Sequence, residues 1–137
     1  MKYGISILSI VPMRNDRSDK SEMINQVLFG EYFKILEYSE KWSKIELAHD
    51  NYQGWICNKQ WVEIREETFL RLNKETHTIT TDIVDIIKEN NSKLIVIGSI
   101  LPSYKSNHVI IEDKKYFFEG LTTTGFSKKE KIIENAL

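Results

Sequence analysis

Cysteine is almost missing from this chain of 137 residues, and the one that is present, Cys57, cannot form an internal disulfide. A lone free thiol is typical of a reducing compartment. Hydrophobic residues make up 41% of the chain, which is enough for a packed core and argues against disorder. The length suits one ordinary domain or two very small ones.

The chain also lacks a net excess of positive or negative charge. The chain has 19 basic and 20 acidic residues and shows no basic stripe of the kind that binds a phosphate backbone. The most basic segment, residues 128–131, is interpreted as the solvated start of a helix. Nucleic acid is therefore not an expected partner.

The chain also lacks long hydrophobic runs. No segment approaches the roughly 20 apolar residues that span a bilayer, so a membrane is not expected as a partner. The apolar stretch at 5–11 is interrupted by serines and runs into Pro12 and Arg14, which favours a strand over a signal peptide. We therefore expect a cytoplasmic protein.

The first half of the chain consists of short apolar or alternating segments separated by turn residues. Clean alternation over 42–47 places Ser43, Ile45 and Leu47 on one face of a strand. The predicted strands lie at 5–11, 23–29, 32–36, 42–47, 55–57 and 61–64. Short strands at this pace predict a small β-barrel over residues 1–65.

The second half mixes helix and strand patterns. Apolar residues spaced three and four apart follow Asp82 and predict a short helix that ends at 90–91. A buried strand at 94–97 and a hairpin of 108–111 with 116–118, around a turn at 112–115, follow it. These elements predict a second small barrel over 66–126 with a helical insertion.

The last residues, 127–137, have the pattern of a helix that begins at a capping box. Ser127 and Glu130 have the spacing at which each side chain satisfies a backbone amide of the other. A helix this short is marginal alone, so its apolar face needs a partner. That partner is either the second barrel or a further domain.

Residues with catalytic or metal-binding chemistry are sparse. His49, His77 and His108 lie far apart without the spacing of a metal site, and we expect them at the surface or at strand edges. No phosphate loop or other cofactor motif is present, so no cofactor or metal is expected. Cys57 lies in a predicted strand, where a thiol is expected to be packed and inert rather than a nucleophile.

Three aromatic residues, Trp42, Tyr52 and Trp55, lie around adjacent turns of the first barrel. Such side chains either grip a peptide or sugar or pack at the core and rim. Packing is favoured for Trp55, and both alternatives stay open for Tyr52. Glu22, before the strand at 23–29, is either a partner for a ligand ammonium or a solvated surface charge.

These segments resemble a known family. Gln-Val-Leu-Phe-Gly-Glu at 26–31, Trp-Ser-Lys-Ile at 42–45 and Asn-Tyr-Gln-Gly-Trp-Ile at 51–56 are similar to the bacterial SH3 domain of the dipeptidyl-peptidase VI family. Its members are γ-D-glutamyl-L-diamino acid endopeptidases of the NlpC-type cysteine peptidase family. Residues 98–104 and 116–120 resemble the second SH3-like module of such proteins, and 128–137 resemble the first helix of the peptidase domain. The resemblance covers essentially the whole chain.

The resemblance implies an all-β fold of two tandem SH3-like barrels, over 1–65 and 66–126, followed at 127–137 by a helix that leads to a peptidase domain absent from this chain. It implies that the first barrel borders the substrate cleft and selects the free amino end of L-Ala-γ-D-Glu-diamino acid peptides. Tyr52 matches the family tyrosine that contributes to this wall. The position of the family's acidic residue holds Ile24, with Glu22 close by. Together with Trp42, these give the candidate substrate-binding residues Tyr52, Glu22 and Trp42.

The sequence and its resemblance to this family leave three possible functions. The chain is the non-catalytic, substrate-bordering region of a murein-peptide endopeptidase, whose partners are murein stem peptides and the peptidase domain. Alternatively, it is a stand-alone SH3-like module that binds cell-wall peptides or proteins without a peptidase. The third possibility, catalysis through Cys57, requires a histidine near the thiol, and His49 is the candidate closest in sequence. Because the family's nucleophile matches no residue here, the chain is expected to be inactive alone.

Overall fold

The computed structural model describes residues 2–81, 84–88, 92–96 and 98–124, and it is built mainly from short strands. The strands of the first half are β1 (Lys2–Ile5), β2 (Ile10–Arg14), β3 (Met23–Leu28), β4 (Tyr32–Tyr38), β5 (Trp42–Leu47), β6 (Gln53–Cys57) and β7 (Val62–Ile64), with a 3-10 turn at Asn58–Gln60. The second half holds helix α1 (Glu66–Lys74) and strands β8 (Thr78–Thr80), β9 (Val84–Lys88), β10 (Ser92–Val96), β11 (Ile100–Leu101), β12 (His108–Ile111), β13 (Lys114–Phe117) and β14 (Thr122–Thr124). The helix predicted over 127–137 lies outside the described residues.

The strands form three antiparallel sheets of SH3-like type. The first half makes one sheet of order β3-β2-β6-β5-β4-β1-β7. The second half makes a four-stranded sheet, β10-β9-β13-β12, and a three-stranded sheet, β11-β8-β14. The predicted all-β, SH3-like fold is confirmed. Within the described ranges no ladder joins β3 to β7, so the seven strands form an open sheet where a closed barrel was expected.

The predicted alternation of β5 is present in the structure. Ser43, Ile45 and Leu47 are buried, while the residues between them are half-buried on the opposite face. β5 pairs with β4 on one side and β6 on the other, so it lies in the middle of the sheet. Its inner face packs on the core, as expected for an antiparallel sheet with one wet face.

The expected single strand at 5–11 is wrong, because the chain turns between β1 and β2. The Ser6 N–H donates to the Glu31 carbonyl at 2.9 Å and completes the pairing of β1. The Ser6 hydroxyl then donates to the Leu8 carbonyl at 3.2 Å, which bends the chain away. The serines that interrupt the apolar run therefore mark a break between two strands.

The helix expected after Asp82 is also wrong. Residues 84–88 form β9, which pairs with β10 from Val84↔Val96 to Lys88↔Ser92 and meets β13 at Lys88↔Phe117. Aliphatic residues with β-branched side chains are suited to either element, and here the sheet partners decide. The helix of the second half is instead α1, which buries Thr68, Phe69 and Leu72.

Buried side chains form two hydrophobic clusters. The inner cluster lies within the first sheet and contains Val11, Met13, Val27, Phe33, Ile35, Ile45, Leu47 and Ile56. The shared cluster draws on both halves and contains Ile5, Phe29, Tyr32, Ile64, Phe69, Leu72, Ile95, Ile100, Leu101, Val109, Ile111, Tyr116 and Phe118. Because the shared cluster crosses residue 65, the two predicted modules are packed on each other. The domain boundaries at 65 and 126 stay predictions.

Candidate functional site

The turn between β5 and β6 carries Tyr52. Asn51 adopts a left-handed conformation with φ of 61°, which asparagine tolerates better than most residues. The Asn51 N–H donates to the Leu47 carbonyl, and the Leu47 N–H donates to the Tyr52 carbonyl, both at 2.9 Å. The Tyr52 N–H donates to Asp50 Oδ1 at 3.1 Å. These bonds hold the turn in one shape, and the Tyr52 residue is 40% exposed.

The phenol of Tyr52 is fixed against the start of β3. Its hydroxyl donates to the Ile24 carbonyl at 3.1 Å. Glu22 is exposed and lies two residues before Ile24, with its carbonyl accepting the Asn15 N–H at 2.8 Å. The Tyr52 hydroxyl therefore contacts the start of β3, two residues along the chain from Glu22.

Trp42 lies at the other end of the β5–β6 hairpin. It pairs with Cys57, whereas the Tyr52 turn adjoins the pair Glu46↔Gln53. Five residues separate Trp42 from Leu47, which corresponds to roughly 16 Å along a strand. The half-buried indole is on the wet face of the sheet, as predicted, but it is not beside Tyr52.

Trp55 is packed, as the sequence favoured. It is 9% exposed, and it pairs with Lys44 on one side and Arg14 on the other. The guanidinium carbon of Arg17 lies 5.1 Å from the centre of its ring. The polar loop after β2 therefore covers Trp55, and this indole offers no open ligand surface.

His49 is the main feature that sequence reasoning missed, because it was expected at the surface or at a strand edge and its side chain is only 6% exposed. His49 Nδ1 lies 3.5 Å from Glu31 Oε2, and Nε2 lies 3.4 Å from Asp50 Oδ2. Glu31 is itself buried and accepts the Leu28 N–H at 2.7 Å. His49 thus lies between two carboxylates directly beneath the Tyr52 turn. The sequence feature that could have indicated this is Glu31, which follows the apolar run of β3 and is itself buried.

The other two histidines behave differently. His77 is half-buried, and its Nε2 lies 2.8 Å from the Leu72 carbonyl and 3.1 Å from the Tyr32 hydroxyl. The Tyr32 hydroxyl donates to Asn73 Oδ1 at 3.0 Å, and burial, with a smaller effect of Glu75, raises the pKa of Tyr32 to about 12. His108 is exposed, as expected.

Cys57 and clusters of metal-ligating side chains are the groups considered for catalytic chemistry. Cys57 is a half-buried free thiol that ends β6 and directly precedes the short 3-10 turn at Asn58–Gln60, and no α-helix begins there to favour a thiolate. No group of three or more His, Cys, Asp or Glu residues able to hold a metal ion occurs in the part of the chain that the structure describes. No helix in that part is long and apolar enough to cross a membrane.

Part of this chain matches a known protein family, and its fold is similar to that of solved structures. Residues 13–60 match the family described as "Bacterial dipeptidyl-peptidase Sh3 domain". That range runs from β2 to the 3-10 turn and includes Tyr52, Glu22 and Trp42. No curated protein matches the chain significantly.

Two solved structures are similar in fold. An NlpC/P60 family protein from Bacillus cereus ATCC 10987 has a TM-score of 0.69 at 14% identity, with 90% of this chain and 56% of that protein covered. An NlpC/P60 endopeptidase from Photobacterium damselae subsp. piscicida has a TM-score of 0.61 at 18% identity, with 92% of this chain and 32% of that protein covered. The chain spans little more than half of the first protein and about a third of the second. Residues 13–60 therefore match a bacterial SH3 domain of the dipeptidyl-peptidase type, and the chain shares its fold with NlpC/P60 family proteins.

Proposed function

We propose that the chain is a non-catalytic module that borders the substrate cleft of a murein-peptide endopeptidase and helps select the free amino end of L-Ala-γ-D-Glu-diamino acid peptides. The observation that supports this most directly is the Tyr52 turn, whose side chain is ordered by hydrogen bonds and still 40% exposed. A tyrosine that is both fixed and open to solvent is suited to form one wall of a binding cleft.

The hydrogen bonding of Tyr52 defines what it offers to a ligand. Its hydroxyl proton is used by the Ile24 carbonyl, so the phenol oxygen presents lone pairs and acts as an acceptor. The exposed carboxylate of Glu22, near the same edge, supplies negative charge. An ammonium group has three N–H donors and a positive charge, and it matches this pair. An acylated amine has neither the charge nor enough donors, so the edge would discriminate against it.

Trp42 is left out of this contact for a geometric reason. Trp42 lies roughly 16 Å along β5 from the Tyr52 turn, so it does not contact the amino group that meets Tyr52. The proposed contact therefore consists of Tyr52 and Glu22.

The test is an NMR titration of the ¹⁵N-labelled chain with L-Ala-γ-D-Glu-diaminopimelate and with the same peptide acetylated at its amino end. Because one wall encloses little of a ligand, we expect weak binding, on the order of millimolar, with shifts centred on the amides of Tyr52 and Ile24. The acetylated peptide should cause no such shifts.

Single substitutions identify which side chains contact the peptide. Tyr52→Phe removes the acceptor oxygen, Glu22→Gln removes the charge, and both should weaken binding of the free peptide. Glu40→Gln, an exposed glutamate in the turn beside Trp42, is the matched control and should leave binding unchanged. Equal shifts with both peptides would contradict selection of a free amino end. Sedimentation with intact peptidoglycan together with such equal shifts would instead support a stand-alone cell-wall binding module.

A further inference from the structure

The buried ring of His49 lies between two turns of the first sheet. Its Nδ1 is 3.5 Å from Glu31 Oε2, and its Nε2 is 3.4 Å from Asp50 Oδ2. The Glu31 carboxylate is almost fully buried, whereas the Asp50 carboxylate is partly open to solvent. Nε2 is buried and has no hydrogen-bond partner among the described residues, so Asp50 acts on it through charge rather than through a hydrogen bond.

Glu31 is the fixed end of this arrangement. Its Oε1 accepts the Leu28 N–H at 2.7 Å, and its backbone N–H donates to the Leu28 carbonyl at 3.1 Å. Its carbonyl accepts the Ser6 N–H at 2.9 Å. Backbone and side chain of Glu31 are therefore both tied to the sheet, and the negative charge beside His49 Nδ1 has a set position.

Asp50 is the other end, and it joins His49 to Tyr52. Its two carboxylate oxygens have different contacts, because Oδ2 lies beside His49 Nε2 while Oδ1 accepts the Tyr52 N–H at 3.1 Å. A carboxylate that is held at one oxygen cannot rotate freely, so His49 also restrains the oxygen that Tyr52 uses. The contacts run without a gap from the buried Glu31 to the exposed turn that carries Tyr52.

The protonation state of the ring decides whether both contacts are favourable. A neutral imidazole has one N–H donor and one lone pair, so one of its nitrogens would face a carboxylate oxygen with a lone pair. An imidazolium has a donor on each nitrogen and places a positive charge between the two negative ones. β4 adjoins this turn, since the Ala48 N–H donates to the Tyr32 carbonyl at 3.0 Å. The pKa of Tyr32 is raised to about 12, chiefly by burial, so its phenol does not titrate near neutral pH.

We propose that His49 is the positioning residue of the Tyr52 turn, and that as an imidazolium it holds Asp50 in the orientation that the Tyr52 N–H needs. His49 does not touch the ligand. The inference rests on the proposed function, in which Tyr52 contacts the peptide. As the pH rises through the titration of His49, the attraction to Asp50 is lost and the Tyr52 turn is held less firmly.

The first test uses the ¹⁵N-labelled chain without peptide between about pH 5 and 7.5, a range that contains the ordinary histidine titration and lies above the ordinary carboxyl one. We expect the Tyr52 amide shift to change with the same midpoint as the ring of His49. Asp50→Asn keeps an oxygen for the Tyr52 N–H and removes the charge, so the Tyr52 amide should stay constant. His49→Gln should have the same effect. His108→Gln removes an exposed histidine of β12 and, as the control, should keep the change.

The second test measures the binding of L-Ala-γ-D-Glu-diaminopimelate at pH 6. If His49 acted through its charge alone, His49→Gln would tighten the binding of an ammonium group, because a nearby cation is removed. A positioning role predicts the opposite, and we expect about two- to fivefold weaker binding. His108→Gln should bind the peptide as the unchanged chain does. The dispersion of each variant's spectrum verifies that it is folded.

The outcomes separate this inference from the proposed function. A Tyr52 amide that does not follow His49, or that still follows it in Asp50→Asn, would overturn the inference. Unchanged or tighter peptide binding by His49→Gln would overturn it as well. If the Tyr52 amide follows His49 in the unchanged chain and not in Asp50→Asn, but the unchanged chain binds no peptide, the positioning role is supported and the proposed function is contradicted.

Discussion

Gly30 is a residue at which the two halves of the chain approach closely. It has a φ of 81°, and its N–H donates to the Ser6 carbonyl at 2.9 Å. The next contact crosses to the second half, where the Ile100 N–H donates to the Phe29 carbonyl at 2.9 Å. A Cβ at Gly30 would collide with the Ile100 carbonyl. The residue therefore has to be glycine both for its left-handed backbone and for the room that the second half takes up.

We expect Gly30→Ala to lower the free energy of unfolding by about 3 kcal/mol, the sum of the left-handed backbone cost and of overpacking against a backbone atom. Guanidinium denaturation followed by tryptophan fluorescence measures it. Gly54→Ala is the contrast, because a Cβ there meets chiefly the flexible side chain of Met13 and the φ is ordinary. A loss at Gly30 no larger than that at Gly54 would contradict the close approach.

Helix α1 illustrates how far element prediction from the sequence reaches. The strands of the first half follow from alternation and turn residues, because each packs one face on a core that lies nearby in sequence. α1 begins after Arg65, which is not a capping residue, and Arg65 makes no side-chain cap bond. The negative charge near the start of α1 comes from Glu112, 47 residues away, which accepts the Arg65 Nε–H at 2.7 Å. A contact between residues so far apart leaves no local signal in the sequence, and so the helix was missed.

The candidate site was also predicted only in part, because some of its features are local in sequence and others depend on long-range contacts. The Asn-Tyr-Gln-Gly turn is a local feature, and it presents Tyr52 at the surface as the pattern allows. That the Tyr52 hydroxyl meets Ile24, and that Trp42 lies at the far end of the hairpin, depend on strand register. The burial of His49 depends on Glu31 from another turn. Register and long-range burial are set by the assembled sheet rather than by any segment alone.

The Glu112 carboxylate near the start of α1 gives a pH-dependent prediction. Burial by itself would raise the pKa of Glu112, but the nearby Thr68 hydroxyl and the hydrogen bonds and positive charge of Arg65 outweigh it and lower the pKa below its ordinary value. A carboxyl whose pKa is lowered by folding stabilises the fold at pH values above the unfolded-state pKa. That stability is lost as the pH falls through the folded-state pKa.

We therefore expect Glu112→Gln to lower the free energy of unfolding by about 1 kcal/mol at pH 7, as loss of a favourable charge near a helix N-terminus does. The difference from the unchanged chain should shrink as the pH falls from the ordinary carboxyl pKa toward the lower folded-state pKa of Glu112, because the unfolded chain binds the proton first and Glu112 is protonated in both states only below the folded-state pKa. Urea denaturation at several pH values from neutral to acid measures both effects. Asp113→Asn, at the next and exposed position, is the control, and an equal loss there would show that the turn, not the Glu112 contact with Arg65, is responsible.

At the scale of the whole molecule, the two SH3-like halves share a core. Ile5, Phe29, Tyr32 and Ile64 from the first half pack with Phe69, Leu72 and the strands of the second. Modules joined by a small polar interface unfold separately, whereas modules that bury a common apolar cluster lose it together. The inner cluster contains eight buried apolar residues, and the shared cluster adds four from the first half: Ile5, Phe29, Tyr32 and Ile64.

The chain should accordingly unfold in one cooperative transition. All three tryptophans, Trp42, Trp55 and Trp61, lie in the first half, so their fluorescence reports on that half alone. The amide signals of Val109 and Ile111, both buried in the shared cluster, report on the second half. The fluorescence and amide curves in guanidinium should superimpose.

A substitution in the second half tests the same coupling. Leu101 is 1% exposed in the shared cluster, and Leu101→Ala should cost about 2–5 kcal/mol. If the halves unfold as one unit, the tryptophan midpoint in the first half falls by as much as the amide midpoint in the second. If they unfold independently, the tryptophan midpoint stays where it was while the amide midpoint falls. The first result is expected, because removing the Leu101 side chain opens a cavity in a core that both halves need in order to remain folded.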